Sequence, residues 1–465
     1  MTWDAVVIGA GPAGYVCAIR LGQLGQKVAI VEGREYGGVC LNVGCIPSKA
    51  LISAAKLVHR IGNAEAMGIH VDGVRVDLAK LIAWKGKIVD QLTSGVRHLL
   101  TKNGVELVAG MARVTGPDKV EVQSPSGVQV LDTRNIVVAT GSKPIEIPGF
   151  AFGDPHVWSS TEALSPDALP KRLVVIGGGY IGLELGFVYR HLGVAVTVVE
   201  FMDRVLPNMD PELSKEMTRS LKKAKIKLVL GAKARSYAET ADGLVVDVET
   251  SDGGVQQIAC DKVLSSVGRT PNGRGVGLEE QGVTVDDRGF VPVDAQRRTN
   301  VASIWAVGDV TGQPMLAHKG SAEGLVAAAA IAGDKGAAFD PTGIPLVVFT
   351  DPEIAAVGLT EDEAREQGFD PVVGRFPFRA SGRALSLGET AGWTKVIADK
   401  KTDKLLGVQM IGPEVTELIA EATLALELGA TARDIAMTIH AHPTLPETMM
   451  EAAEAVHRLA VHILN

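Results

Sequence analysis

Residues Trp3 to Glu32 read WDAVVIGAGPAGYVCAIRLGQLGQKVAIVE. An apolar run, Ala5 to Ile8, stops at Gly9. Gly11 and Gly14 follow, completing the spacing Gly-x-Gly-x-x-Gly. A stretch with helical periodicity comes next, then a second apolar run that closes on an acid, Glu32. Each glycine has its own physical reason: the first makes a tight turn, the second lets the backbone approach a pyrophosphate, and the third lets helix and strand pack closely. Phosphates held this way sit at a helix N-terminus, where free N–H groups and the helix dipole favour negative charge. Glu32, at the end of the second strand, can accept hydrogen bonds from a ribose.

The pattern occurs twice. Leu173 to Glu200 reads LVVIGGGYIGLELGFVYRHLGVAVTVVE, with Gly177, Gly179 and Gly182 as its glycines and Glu200 as its acid, every position shifted by 168 residues. Tyr180 and Ile181 stand between the second and third glycines. Two strand–turn–helix–strand units imply two dinucleotides, and two dinucleotides in one chain imply electron traffic between them. A fainter echo follows each copy: NIVVATGSKP (Asn135 to Pro144) resembles KVLSSVGRTP (Lys262 to Pro271), each a buried strand running into a glycine, Gly141 or Gly268, and then a proline. The expected architecture is α/β: two Rossmann-like dinucleotide-binding domains followed by a C-terminal α+β domain, with residues 1–143 and 144–268 as the two nucleotide units, 269–338 as a central unit and 339–465 as an interface unit.

Just after Glu32 comes GGVCLNVGCIPSK, Gly37 to Lys49. Pro47 suits the first turn of a helix continuing through Ala50 to Arg60, which places Cys45 just before a helix N-terminus, a position that favours a thiolate. By spacing alone, Cys40 and Cys45 are two structural cysteines or a redox pair. No second Cys or His pair stands at zinc-site spacing, so no metal is expected. A redox pair beside a nucleotide needs a carrier linking thiol and hydride chemistry, which a flavin provides. Cys17 and Cys260 carry no assigned role, and Cys17 falls on the core face of the first fingerprint helix.

GGVCLNVGCIPSK resembles the redox signature of the flavin-dependent pyridine nucleotide–disulfide reductases. The likeness runs nearly the whole chain in the family's order: both fingerprints, Ala139-Thr140-Gly141, Gly268 to Asn272, Trp305 to Asp309 and His442-Pro443-Thr444. It implies FAD at the first fingerprint and NAD at the second, with Ala112, Asp309, Met315 and Ala317 contributing to the flavin site. It further implies that Cys40 exchanges with substrate and Cys45 faces the flavin, that Lys49 lies near the flavin ring with Glu184 as its carboxylate partner, and that Tyr180 covers the nicotinamide pocket. His442 and Glu447 match an acid–base dyad. That dyad serves the other subunit in the family, so a homodimer is implied. Pro446 stands where the family usually has Ser.

Within the family, Glu200 followed by Phe201, with Pro207 beyond, lacks the arginines that hold a 2′-phosphate and favours NAD. The C-terminal stretch GPEVTELIAEATLALELGAT, with IHAHPTLPE after it, resembles the branch that oxidises protein-bound dihydrolipoamide. The partners this implies are lipoyl domains of 2-oxoacid dehydrogenase acyltransferases or a glycine-cleavage carrier protein, and no lipoyl module is expected ahead of Met1. A reductase of another small disulfide, and a flavin-binding subunit without turnover, remain as alternatives.

Composition agrees with this class. The chain has 465 residues, 46% hydrophobic and 22% charged, and 53 glycines, enough for several domains with many tight turns. A net charge of −8 argues against a general nucleic-acid binder. No run of 18 apolar residues is seen, so no membrane span is expected. Without a signal-peptide core at the N-terminus, a cytoplasmic location is expected.

Overall fold

The computed structural model describes residues 2–464; the outermost bounds assigned above, Met1 and Asn465, lie outside it. The Val- and Ile-rich runs form central parallel strands buried on both faces, as such runs must in a sheet covered on two sides. The first sheet has the order 304–306, 136–138, 5–8, 28–32, 106–109. Ala5–Ile8 lies at its centre, paired in parallel with Val28–Glu32 on one side and Ile136–Val138 on the other. Its outermost strand, Ile304–Ala306, arrives from far along the chain. Helix Ala317–Ile331 packs against the first fingerprint helix, Pro12–Gln23. The segment 269–338 thus shares the first domain's core, where Trp305, Ala327 and Ala328 cluster with Val7, Ala13 and Cys17.

The second sheet repeats the plan with the order 157–158, 262–265, 172–176, 195–199, 227–229, all parallel. The two echo segments each supply a strand beside a fingerprint strand. Their tails then pair with one another: Ser142–Pro144 and Arg269–Pro271 form a two-stranded antiparallel ribbon between the nucleotide units. Two antiparallel meanders, 111–116/119–124/127–133 and 232–240/243–250/255–260, follow with polar turns.

The last sheet is antiparallel, in the order 346–348, 353–358, 405–412, 393–399, 371–377. Helices Val415–Glu427 and Glu447–Val456 pack on it, forming a core around Val408, Met410, Ile419 and Met449. Trp393–Asp399 and Leu405–Gly412 are buried along their whole length. Lys395 in the first of these is 1% exposed and pairs with Asp210 at 2.6 Å and Glu212 at 2.7 Å, pinning this domain to the second nucleotide unit.

One stretch, Gly38–Gly62, is long and apolar enough by composition to cross a membrane, although Asn42, Ser48 and Lys49 interrupt it and it is not the continuous apolar run of 18 residues that a span would show. It is not one rod. It breaks at Gly44 into helices Gly38–Val43 and Cys45–Gly62, and the second packs against helices Leu78–Lys102 and Tyr180–His191.

Candidate active site

The two fingerprints superpose in detail. Glu32 accepts hydrogen bonds from the N–H groups of Ala10 (2.7 Å) and Arg34 (2.8 Å); Glu200 accepts from those of Gly178 (2.5 Å) and Met202 (2.7 Å). The offset of 168 seen in the sequence therefore recurs in the bonding. A Cβ on Gly14 would stand 1.9 Å from the Gly9 carbonyl oxygen, and one on Gly182 would stand 2.3 Å from that of Gly177. Gly9 and Gly177 are both in positive φ, pressed against the carbonyls of Ala139 and Ser266.

Both fingerprint helices lack a side-chain cap among the described residues, so their first-turn donors remain available. A Cβ on Gly11 would meet only the Gly38 Cα, at 4.0 Å, and one on Gly179 nothing at all. These open cradles of uncapped amides, each beside a carboxylate fixed by backbone donors, fit a dinucleotide at each site. Gly141 also faces open space in positive φ.

Around the first cradle, Asp309 lies in the turn Gly308–Thr311 and accepts the Ser142 hydroxyl proton at 2.5 Å. Arg269 donates to the same Ser142 through its hydroxyl and its carbonyl, both at 2.7 Å. Ala317 opens the helix that follows, and Met315 lies just before it, its N–H donating to the Gln313 side chain. Ala112 lies on strand Met111–Gly116, opposite Val122 and just beyond the Gly110 N–H that bonds the Glu32 carbonyl. Tyr180 opens the second fingerprint helix with Ile181 beside it. Its hydroxyl is pushed up to about 12, chiefly by desolvation, with Arg269 opposing and Glu184, Asp309 and Cys45 adding to the rise. The second helix's first turn is thereby brought near Asp309 and the cysteines.

Cys40 lies in helix Gly38–Val43 and Cys45 is the first residue of helix Cys45–Gly62. The helix therefore starts two residues earlier than Pro47 suggested. Proline is tolerated there because first-turn N–H groups have no helical partner. The pair is a dithiol with a shared proton: the Cys40 thiol donates to Cys45, which drives Cys40 well above the thiol range and lowers Cys45 to about 7. Lys49, one turn on, lowers Cys45 further, while burial and Glu184 oppose it. Lys49 is held by the buried carboxylate of Glu184 at 2.9 Å and lies over the Phe349 ring at 4.3 Å. Glu184 in turn accepts the Phe349 N–H at 2.9 Å.

His442 and Glu447 meet at the far end of the chain, Nδ1 to Oε1 at 2.9 Å. The other carboxylate oxygen accepts the Thr444 N–H at 2.7 Å. Burial would raise the Glu447 carboxyl, but the Thr444 N–H and His442 outweigh it and hold it below the ordinary range. A carboxylate cannot donate, so Nδ1 carries a hydrogen towards it, and in the neutral ring Nε2 is the proton acceptor. Pro446 does not disturb this pair; it stands immediately before helix Glu447–Val456. Within one chain, the dyad has no hydrogen bond or ion pair to either cysteine among the described residues, and the His442 side chain is 78% exposed. Cys17 and Cys260 are fully buried, with thiols pushed up by burial to about 12 and about 11.

The sequence did not single out Ser142 or Phe349, nor a buried cluster behind Asp309. There Glu323 accepts the Gly308 N–H at 2.7 Å and pairs with Lys319 at 2.9 Å and Arg297 at 3.0 Å. Only the Lys319–Glu323 spacing of one helical turn hinted at it.

Residues 3–324 match the family described as pyridine nucleotide-disulphide oxidoreductase, and residues 344–453 match that family's dimerisation domain. The chain belongs to the pyridine nucleotide-disulphide oxidoreductase family. It is an oxidoreductase with FAD and NAD as cofactors, and it forms a homodimer. It is 51% identical to the dihydrolipoyl dehydrogenase of Thermus scotoductus, a match that covers 100% of this chain and 99% of that protein. It is 47% identical to the dihydrolipoyl dehydrogenase of Bacillus subtilis, over 99% and 98% of the two chains. Among solved structures it is similar to LpdA from Mycobacterium tuberculosis, with a TM-score of 0.89 and 27% identity, covering 98% of this chain and 99% of that one.

Proposed function

We propose that this protein is a dihydrolipoyl dehydrogenase: it oxidises protein-bound dihydrolipoamide to lipoamide and reduces NAD⁺ to NADH. The observation that carries this reading is the Cys40–Cys45 pair, with its thiolate at Cys45 beside the paired Lys49 and Glu184, in a chain about half identical to enzymes of that name.

Turnover starts from the Cys40–Cys45 disulfide. His442 Nε2 takes a proton from one substrate thiol, and Glu447 steadies the resulting imidazolium. The substrate thiolate attacks the Cys40 sulfur. The Cys40–Cys45 bond breaks, and Cys45 leaves as a thiolate, a role its depressed pKa suits. The second substrate thiol, losing its proton, attacks the substrate sulfur bonded to Cys40. The lipoamide ring closes and Cys40 departs, taking up a proton. Bound flavin supplies the passage of the dithiol's two electrons to NAD⁺ as hydride. Lys49 holds positive charge beside that relay, and Glu184 and Phe349 hold Lys49.

The FAD site would be built from Gly9, Gly11, Gly14, Glu32, Lys49, Ala112, Gly141, Asp309, Met315 and Ala317, and the NAD site from Gly177, Gly179, Tyr180, Ile181, Gly182, Glu200 and Gly268. The functional units would be 1–143, 144–268, 269–338 and 339–465. The dyad would serve the cysteines of the second copy. The exposed apolar side chains Leu424, Leu428, Met437 and Ile439, on the same domain as the dyad, support that arrangement, since patches of this kind mark contact surfaces. The lipoyl arm of an acyltransferase or glycine-cleavage carrier, in the cytoplasm, would be the substrate's carrier.

The test is NADH formation by purified enzyme from dihydrolipoamide and, separately, from other small dithiols and thiols. Rapid turnover restricted to dihydrolipoamide, abolished in Cys40→Ser, is the expected result. A preference for another dithiol would replace the substrate assigned here.

A further inference from the structure

Three side chains far apart in sequence meet near the end of the Cys45–Gly62 helix that lies away from the cysteines. His59 is in its last turn, His191 ends the helix Tyr180–His191, and Asp351 follows the strand Leu346–Val348. Their potential ligand atoms all lie within 4.8 Å of one another. The two imidazoles stack with centroids 4.2 Å apart.

The His191 side chain is 5% exposed, and its Nε2 lies 3.0 Å from Asp351 Oδ2. Yet that buried nitrogen makes no hydrogen bond of ordinary geometry, to Asp351 or to any other described residue. A nitrogen and a carboxylate oxygen this close without such a bond match two ligands of one ion. With metal–ligand bonds of about 2.0–2.1 Å, ligand atoms lie about 2.9 Å apart at right angles and about 3.3 Å apart in a tetrahedron.

We propose that His59, His191 and Asp351 form a site for one divalent cation of the zinc class. Two imidazoles and a carboxylate suit zinc better than magnesium or calcium, which prefer all-oxygen shells. Three protein ligands leave a fourth position for water on the exposed His59 side. Two neighbouring cations are compensated, Lys56 by Glu353 and Arg60 by Glu389, and Lys223 also faces His59. The helix rises about 21 Å between Cys45 and His59, so the site is separate from the redox thiols. Its ligands come from the first nucleotide unit, the second and the interface domain, so one ion would tie all three together.

The experiment uses metal-free homodimeric holoenzyme, oxidised so that Cys40 and Cys45 form a disulfide and offer no thiolate. Zinc chloride is titrated in at neutral pH and followed by calorimetry. One ion per chain is expected, with affinity at least about tenfold weaker in both His59→Ala and Asp351→Asn, since loss of even a supporting group costs that much. Zinc should also raise the unfolding temperature of the wild type and not of the variants. His59→Ala, at an exposed helix end, should fold and turn over normally without zinc. No binding below about 100 µM, well above the range of useful zinc sites, overturns the proposal. So does equal affinity in the wild type and both variants, which would place the ion elsewhere.

Discussion

Replacing Lys49 with methionine removes one charge from beside Cys45 and leaves Glu184 unopposed. Residues one helical turn apart have Cβ atoms about 5–6 Å apart. At about 6 Å the Coulomb energy is about 3 kcal/mol for an effective dielectric near 20 and about 0.7 kcal/mol in water. Lys49 is 32% exposed, so solvent screening discounts the upper figure, and about 1.4 kcal/mol, one pKa unit, is the working value. Cys45 lies at about 7; the variant should bring it to roughly 8. The sign is that of a depressed acid: its thiolate forms as pH rises through about 7, and the variant needs a higher pH. At pH 7.5 the thiolate fraction should fall from about three quarters to about one quarter. The assay is the pH dependence of alkylation of the dithiol enzyme, resolved for each cysteine by mass spectrometry. Adding Glu184→Gln to Lys49→Met should recover part of the shift, because Glu184 raises Cys45. A Cys45 inflection that stays at the wild-type pH in Lys49→Met refutes the electrostatic account.

His442→Gln should lower kcat/KM for dihydrolipoamide by roughly 10²–10⁴-fold, the usual worth of a positioned base. It should leave Cys45 alkylation unchanged, and steady-state rates at neutral pH decide it. Glu200→Gln removes a carboxylate that would repel a 2′-phosphate, so the ratio of NADPH to NADH turnover in the reverse direction should rise; an unchanged ratio would show that Glu200 does not set the preference. Lys395→Met leaves Asp210 buried without its counter-charge, which should cost about 3–5 kcal/mol, read as a lower denaturant midpoint. Glu212 is held at about 2, first by Arg375 and also by Lys395. Its contribution, present above the ordinary carboxylate pKa, should fade as pH falls towards about 2, and Glu212→Gln should flatten the acid limb of a stability–pH curve.

The fingerprints were legible because their rules are local. Gly14 and Gly182 are fixed by contacts inside one strand–turn–helix unit, against the carbonyls of Gly9 and Gly177, so the 168-residue offset carries over unchanged into hydrogen bonds. The cysteine pair was legible as a motif, but its proton sharing was not, since that depends on how two short helices meet around Gly44. In the interface domain, strands Leu346–Val348, Trp393–Asp399 and Leu405–Gly412 are largely apolar runs that a strand pattern fits. Pro371–Pro377, bounded by prolines and containing Gly374, has the composition of a loop and is tolerated as a strand because it lies at the sheet edge. Ser142 and Phe349 were invisible for another reason: each matters through a partner more than a hundred residues away, and no spacing rule covers such pairs. His59, His191 and Asp351 share that character.

The ribbon of Ser142–Pro144 and Arg269–Pro271 means that the polypeptide leaves the first nucleotide unit and comes back to it through neighbouring strands. The second nucleotide unit is therefore topologically an insertion into the first, joined to it by a narrow two-stranded ribbon. A module inserted that way can be exchanged for one with a different nucleotide preference while the first cradle, whose sheet closes only with Ile304–Ala306 beyond the ribbon, keeps its own strand order.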